Sequence, residues 1–126
     1  MCGNVYNVLV AWFGMVDDCV FCKIVKGELP SERVFESDNF IVVRDAFPKV
    51  EGHSLIIPKR HFDDFMGMDK ALDPELLEVA REIARKEKWD EFNLVTNQGK
   101  SAGQIVFHTH FHILPRHKDD GFRFGL

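Results

Sequence analysis

Gln104-Ile105-Val106-Phe107-His108-Thr109-His110-Phe111-His112-Ile113-Leu114, closed by Pro115, is the stretch on which the reading of this chain turns. Its β-branched and aromatic residues predict one strand over Gln104–Leu114, and proline ends it because proline cannot donate to a ladder. Side chains alternate faces along a strand, so Ile105, Phe107, Thr109, Phe111 and Ile113 share a side that is apolar apart from Thr109 and can pack on a helix. His108, His110 and His112 then stand in a row on the other side. Folding alone does not require three imidazoles on one face. A shared metal ion is the first alternative, and geometry limits it. Residues two apart on a strand are separated by about 6.6 Å, which puts the outer histidines roughly 13 Å apart. Nitrogen ligands lie only about 2.0–2.1 Å from a zinc ion, so neighbouring histidines can converge on one metal but all three cannot. At least one of them has another task.

Outward from this strand the elements come in a clear order. Phe21–Lys26 followed by Gly27 reads as a short helical turn ended by glycine. Arg33–Glu36 and Phe40–Arg44, joined by Ser37-Asp38-Asn39, read as a hairpin, and Ser54–Pro58 as a third strand closed by its proline. Asp73-Pro74 opens the main helix with Asp73 as N-cap and Pro74 at the first helical position. Leu76, Leu77, Ala80, Ile83 and Ala84 form its apolar stripe. Asn93–Thr96 is a fourth strand, leading through the polar loop 97–103 into the histidine strand. Strands in succession with one main helix between the third and fourth imply an α+β domain on a mostly antiparallel sheet.

The chain has 126 residues, enough for one domain with a core of its own, and is 45% hydrophobic and 29% charged. A formal net charge of −4 argues against nucleic acid or an anionic membrane as the main partner. Arg81, Arg85, Lys86 and Lys88 alternate with Glu82 and Glu87, the pattern of a solvated helix face. Cys2, Cys19 and Cys22 make a poor disulfide framework, so the sequence reads as cytoplasmic. Val5–Val16 is apolar but too short to span a bilayer and lacks a basic lead-in. It reads either as an extra strand or flap or as an extension, residues 1–16, ahead of a domain over residues 17–126.

The segment His108-Thr109-His110-Phe111-His112-Ile113-Leu114 resembles the His-x-His-x-His signature of the histidine triad (HIT) family of nucleotide hydrolases and transferases. The likeness runs from Cys19-Val20-Phe21-Cys22-Lys23-Ile24 through Gly52-His53-Ser54-Leu55-Ile56-Ile57-Pro58-Lys59-Arg60-His61 to Gly121-Phe122, and is nearest the small prokaryotic single-domain branch with Cys-x-x-Cys. Thr109 departs from it where an aliphatic residue is usual, and Ile105 where serine or threonine often sits. The resemblance implies a HIT-like fold of five strands, one main helix and a short N-terminal helix. It implies that His110 attacks the α-phosphate of a nucleotide and forms a nucleotidyl-histidine that water hydrolyses. Neutral imidazole suits this, since an ordinary pKa of about 6.5 leaves it largely deprotonated near pH 7. His112 and His53 are implied to bind phosphate oxygens or assist proton transfer, although His53 also reads as a turn residue beside Gly52. The implied substrates are adenine or purine phosphoramidates or dinucleoside polyphosphates. The alternative is a nucleotide-binding regulatory or adaptor protein, but an intact histidine row favours the enzyme. A homodimer is implied by the family alone.

The loop before the histidine strand offers an amide side chain and backbone N–H groups for phosphate oxygens at Asn97, Gly103 and Gln104. By resemblance Asn97 and Gln104 contact phosphate, and Asn97-Gln98-Gly99 is equally a good turn. Asp45 matches a position that holds the ribose diol, and it also reads as a plain strand end. Phe21, Ile24 and Val43 line the base pocket by resemblance and are core residues by pattern. The Cys19–Cys22 spacing lets two thiolates reach one zinc ion. His61 and His108 are candidates for the remaining ligands, the set that some relatives use for structural zinc; two buried thiols are the other reading. No organic cofactor is indicated.

Overall fold

The computed structural model describes residues 16–123. The expected extension over residues 1–16 and the chain end beyond Arg123 therefore lie outside the described residues, apart from Val16. The elements are α1 (Val20–Lys26), β1 (Arg33–Glu36), β2 (Phe40–Arg44), β3 (Ser54–Pro58), a 3-10 turn (Lys70–Leu72), α2 (Asp73–Glu87), β4 (Phe92–Val95), a second 3-10 turn (Lys100–Ala102) and β5 (Phe111–Pro115). The five strands form one antiparallel sheet in the order β1-β2-β3-β5-β4. This is the α+β architecture expected. Among the described residues no helix is long and apolar enough to cross a membrane.

The central strands are apolar on both faces because each face is covered. Phe40, Val42 and Ile56 pack with Leu76, Val79, Ala80 and Ile83 of α2, while Ile41, Val43, Leu55 and Ile57 pack with Phe21, Cys22 and Val25 of α1. Alternation along β2 and β3 thus feeds two small cores, one beneath each helix. The short helix α1 begins at Cys19, whose Sγ accepts from Cys22 N, and stops at Gly27, whose φ of 83° admits the left-handed cap without a Cβ penalty. Glu75, in the first turn of α2, fastens the β1–β2 hairpin by accepting from Ser37 Oγ, Asn39 N and Asn39 Nδ2 at 2.6–2.8 Å.

Four expectations need correction. Asp73 is the first residue of α2, not its cap: Asp69 caps the preceding 3-10 turn through Ala71 N, and Leu72 fills the cap position. Leu77 is exposed and Val79 is buried, because the core face runs 76, 79, 80, 83 and Leu77 lies a further 100° round the helix. The histidine strand is shorter than expected. Only Phe111–Pro115 joins the sheet; residues 104–110 leave it, and Ile105 and Phe107 are 87% and 40% exposed instead of packed. Their main-chain groups find loop partners: Gln104 N donates to Gly99 O and Thr109 N to Phe62 O. Hydrogen bonds from the loop thus override the β-propensity of the run. β4 is shifted one residue earlier than expected, pairing Val95 with His112.

Candidate functional site

The three histidines do not form a row. His108 is fully buried and turns toward α1, where its Nδ1 lies 3.3 Å from Cys19 Sγ and 3.5 Å from Cys22 Sγ. His110 is half-buried just before β5, with its ring edge-on to Phe21 at a centroid distance of 4.9 Å. His112 is on β5 opposite Leu55, and His53 precedes β3, so the sheet brings the two together with 3.0 Å between His53 Nε2 and His112 Nδ1. His110 and His112 remain neighbours, their rings 5.2 Å apart.

Backbone partners decide which ring nitrogens carry protons. A carbonyl can only accept, so His110 Nδ1, 2.7 Å from His108 O, is protonated, and neutral His110 has its lone pair on Nε2. The backbone N–H of Lys49 donates to His53 Nδ1 at 3.0 Å, so neutral His53 is protonated on Nε2. That proton lies between His112 Nδ1 and Asp45 Oδ2, the latter at 3.3 Å. His112 Nδ1 is then an acceptor, and neutral His112 carries its proton on Nε2. The site therefore pairs one imidazole holding a lone pair with a neighbour holding a proton. Burial lowers the pKa of His110 and His53 and brings that of His112 down to about 4, with the facing histidines adding to the last. The His112 imidazole stays neutral well below the ordinary histidine range.

Asp45, His53 and His112 bring three donor atoms close enough to hold a metal ion. The Lys49 N–H argues against that use: a metal on His53 Nε2 needs the neutral ring's proton on Nδ1, where a second N–H already points. The cluster of Cys19, Cys22, His61 and His108 has the opposite character. Its donor atoms lie within 4.8 Å of one another. A tetrahedral zinc ion with bonds of about 2.3 Å to sulfur and 2.0–2.1 Å to nitrogen sets S···N separations of about 3.5 Å. The observed values are 3.3 Å for Cys19–His108 and 3.5 Å for both Cys22–His108 and Cys22–His61. His108 Nε2 donates to Pro58 O at 2.8 Å and His61 Nε2 to Asp63 Oδ1 at 2.8 Å, which leaves both Nδ1 lone pairs on the cluster side. The residues present fit zinc. Without an ion, burial pushes the Cys22 thiol up to about 11, and burial brings His108 down to about 4.

The remaining expected residues divide. Asp45 lies beside His53 and accepts from Phe47 N through Oδ1; a carboxylate with one bond on each oxygen still has lone pairs for hydroxyls. Asn97 makes no side-chain hydrogen bond among the described residues, and its amide lies against Gly103, where an added Cβ would meet Nδ2 at 3.6 Å. Gly103 itself has φ 101°, which explains glycine there. Gln104 has its side-chain amide within the loop, accepting from Gly99 N and donating to Asp63 O and Val106 O, bonds that hold the loop together. Phe21 and Val43 are buried in the core under α1, and Ile24 is half-buried against it. Sequence reasoning missed Asp63 and Lys49. An acid two residues after a candidate ligand was a readable signal for Asp63; Lys49 acts through its main chain and left none.

Fold and site together define a small antiparallel α+β domain that presents a histidine lone pair beside a hydrogen-bonded His–His–Asp chain. The chain belongs to the HIT domain family, whose sequence model matches residues 26–119. It is 42% identical to a HIT-like protein of Borreliella burgdorferi over 85% of this chain and 81% of that one. It is 38% identical to an adenosine 5'-monophosphoramidase of Saccharomyces cerevisiae, over 78% of this chain and 62% of that protein. Among solved structures, a zinc-bound histidine triad family protein from Mycobacterium smegmatis superimposes with a TM-score of 0.78 at 38% identity, covering 85% of this chain and 81% of that one.

Proposed function

We propose that the chain is a nucleotide hydrolase or transferase that cleaves at the α-phosphate through His110. The observation that carries this reading is the His110 Nδ1–His108 O hydrogen bond, which leaves the Nε2 lone pair for attack on phosphorus. As the Nε2–P bond forms, the bond from phosphorus to the leaving group breaks with its electron pair, and His112 Nε2–H hydrogen-bonds the leaving atom. Water then attacks the nucleotidyl-His110, releasing the nucleoside monophosphate and restoring the ring. His53 steadies the donor tautomer of His112, and Asp45 steadies His53 while offering its free lone pairs to the ribose hydroxyls. Asn97 and the backbone at Gly103 face the phosphate oxygens, with Gln104 shaping their loop. Ile24, half-buried against the core that holds Phe21 and Val43, meets the base, and those two residues back it. Adenine or purine phosphoramidates are the favoured substrates, in keeping with the yeast relative, and dinucleoside polyphosphates are the second class.

Zinc is the ion we assign to Cys19, Cys22, His61 and His108, supported by donor spacing and by the zinc-bound mycobacterial relative. Bound there it supplies a tetrahedral tie between α1 and the segment before β5. A homodimer is supported by the sheet edge at β4, which has no further strand beside it among the described residues and where Phe92 and Leu94 are each 37% exposed, and by the exposed Leu77 of α2.

Single-turnover incubation with adenosine 5'-phosphoramidate and, separately, a dinucleoside tetraphosphate tests the reading by intact-protein mass spectrometry. One adenylyl group should appear transiently on the wild-type protein and not on His110→Ala. Binding of AMP with neither adduct nor release of AMP from either substrate would instead make the chain a nucleotide-binding regulatory or adaptor protein.

A further inference from the structure

His110 stands immediately before the sheet. The β3–β5 ladder begins at Phe111, which pairs with Ile56, so among the described residues no strand pairs with 108–110, and at His110 itself the main chain is met only by the Thr96 hydroxyl, which donates to His110 O at 2.8 Å. Something else must hold the ring to the tolerance that in-line attack needs. Thr109, between the two histidines, is buried and bonded to the segment after His61 through both its N–H and its hydroxyl. Its N–H donates to Phe62 O at 2.7 Å, and its hydroxyl lies 2.6 Å from Asp64 O and 3.2 Å from Phe62 O. A hydroxyl has one proton, and the shorter contact takes it. The other end of Asp64 faces the polar loop: its Oδ2 accepts from Gln98 Nε2 at 2.9 Å, while Gln98 Oε1 accepts from Met66 N at 2.9 Å. Asp64 Oδ1 accepts from Gly67 N, which fixes the carboxylate.

We infer that Thr109 and Gln98 are positioning residues that hold His110 and the loop 97–104 in register by bonding opposite ends, main-chain carbonyl and carboxylate, of Asp64. A hydroxyl is needed at position 109 because a hydrocarbon there reaches the same space without bonding Asp64 O. That accounts for a hydroxyl at a buried position whose alternate neighbours toward Pro115, Phe111 and Ile113, are buried and apolar. Gln98 does for the loop what Thr109 does for the histidine, and neither touches substrate. The inference rests on His110 being the nucleophile, and one of its tests does not.

The variants are Thr109→Val, Thr109→Ser and Gln98→Ala, alone and as the Thr109→Val/Gln98→Ala pair. Adenylylation of His110 in a single turnover should slow about tenfold in Thr109→Val, the loss of one such bond in the reacting geometry, with AMP affinity within about twofold. Thr109→Ser should restore the rate. Because both residues act through Asp64, the double variant should lose less than the product of the single losses. Independently of turnover, nitrogen NMR of His110 should show protonated Nδ1 and bare Nε2 in the wild-type protein and in Thr109→Ser, and a mixture of tautomers in Thr109→Val. Wild-type adenylylation in Thr109→Val, or a slow rate that serine does not rescue, overturns the inference. If the wild-type protein forms no adduct, the nucleophile assignment fails, and an unchanged His110 tautomer in Thr109→Val then overturns this inference separately.

Discussion

Among the described residues two clusters have donor atoms packed closely enough to grip a metal ion, and one of the two is suited to it. Cys19, Cys22, His61 and His108 turn four lone pairs inward; Asp45, His53 and His112 share protons. The residue types do not separate them, since histidine serves in both. The difference lies one bond further out. Pro58 O and the Asp63 carboxylate accept from the far nitrogens of His108 and His61, whereas Lys49 N donates to the far nitrogen of His53. A carbonyl behind an imidazole makes a ligand, and an N–H behind one makes a proton donor.

The contrast can be broken most sharply at His110. If the His53–His112 pair carries protons and cannot attack, His110→Ala should reduce turnover by roughly 10⁴-fold or more, with AMP binding largely kept. Residual turnover within about tenfold of wild type would place a nucleophile in the pair. Next in size is Cys19→Ala. The wild-type protein should hold one zinc per chain by elemental analysis after gel filtration, and the variant none, with stability lowered by roughly 3 kcal/mol or more in denaturant titration. A second tightly held zinc that Asp45→Asn removes would erase the distinction between the clusters. Asp63→Asn should weaken zinc about tenfold in a chelator competition, because the amide orients His61 less well than the carboxylate. The most gradual effect concerns pH. Unfolded His112 takes up its proton near pH 6.5 and folded His112 only near 4, so the unfolded state binds more protons between these values. Stability is therefore full above about pH 6.5 and falls as pH drops toward 4, by at most roughly 1.4 kcal/mol per unit for this residue. His112→Gln should flatten that slope, and an unchanged slope would place the titration elsewhere.

Much of the fold was readable because its signals are local. Gly27, the hairpin at 37–39 and Pro58 mark their elements by backbone chemistry that no tertiary contact overrides. The histidine strand misled for the converse reason. Ile105, Val106 and Phe107 have strand propensity, but the flanking Gln104 and Thr109 bond to the 62–64 segment, more than forty residues away in the chain, and pattern carries no record of it. His108 parts from the other two histidines because the chain leaves the sheet before Phe111, not because of strand spacing. For the site, the histidines and cysteines announced themselves by type. Which nitrogen bears a proton did not, because it is set by carbonyls and N–H groups that every residue possesses. The buried amide of Gln104 shows the same limit, a side chain of the right type whose bonds all turn inward.

The cysteine–histidine cluster has one more consequence, for the unfolded chain. It joins positions 39 and 86 residues apart, and an ion retained through unfolding would close two long loops. Loop-closure entropy for spans of this length is worth about 4 kcal/mol for a covalent bridge. The domain can thus carry the equivalent of a long-range cross-link in a form that thiol reductants leave intact and a chelator cuts.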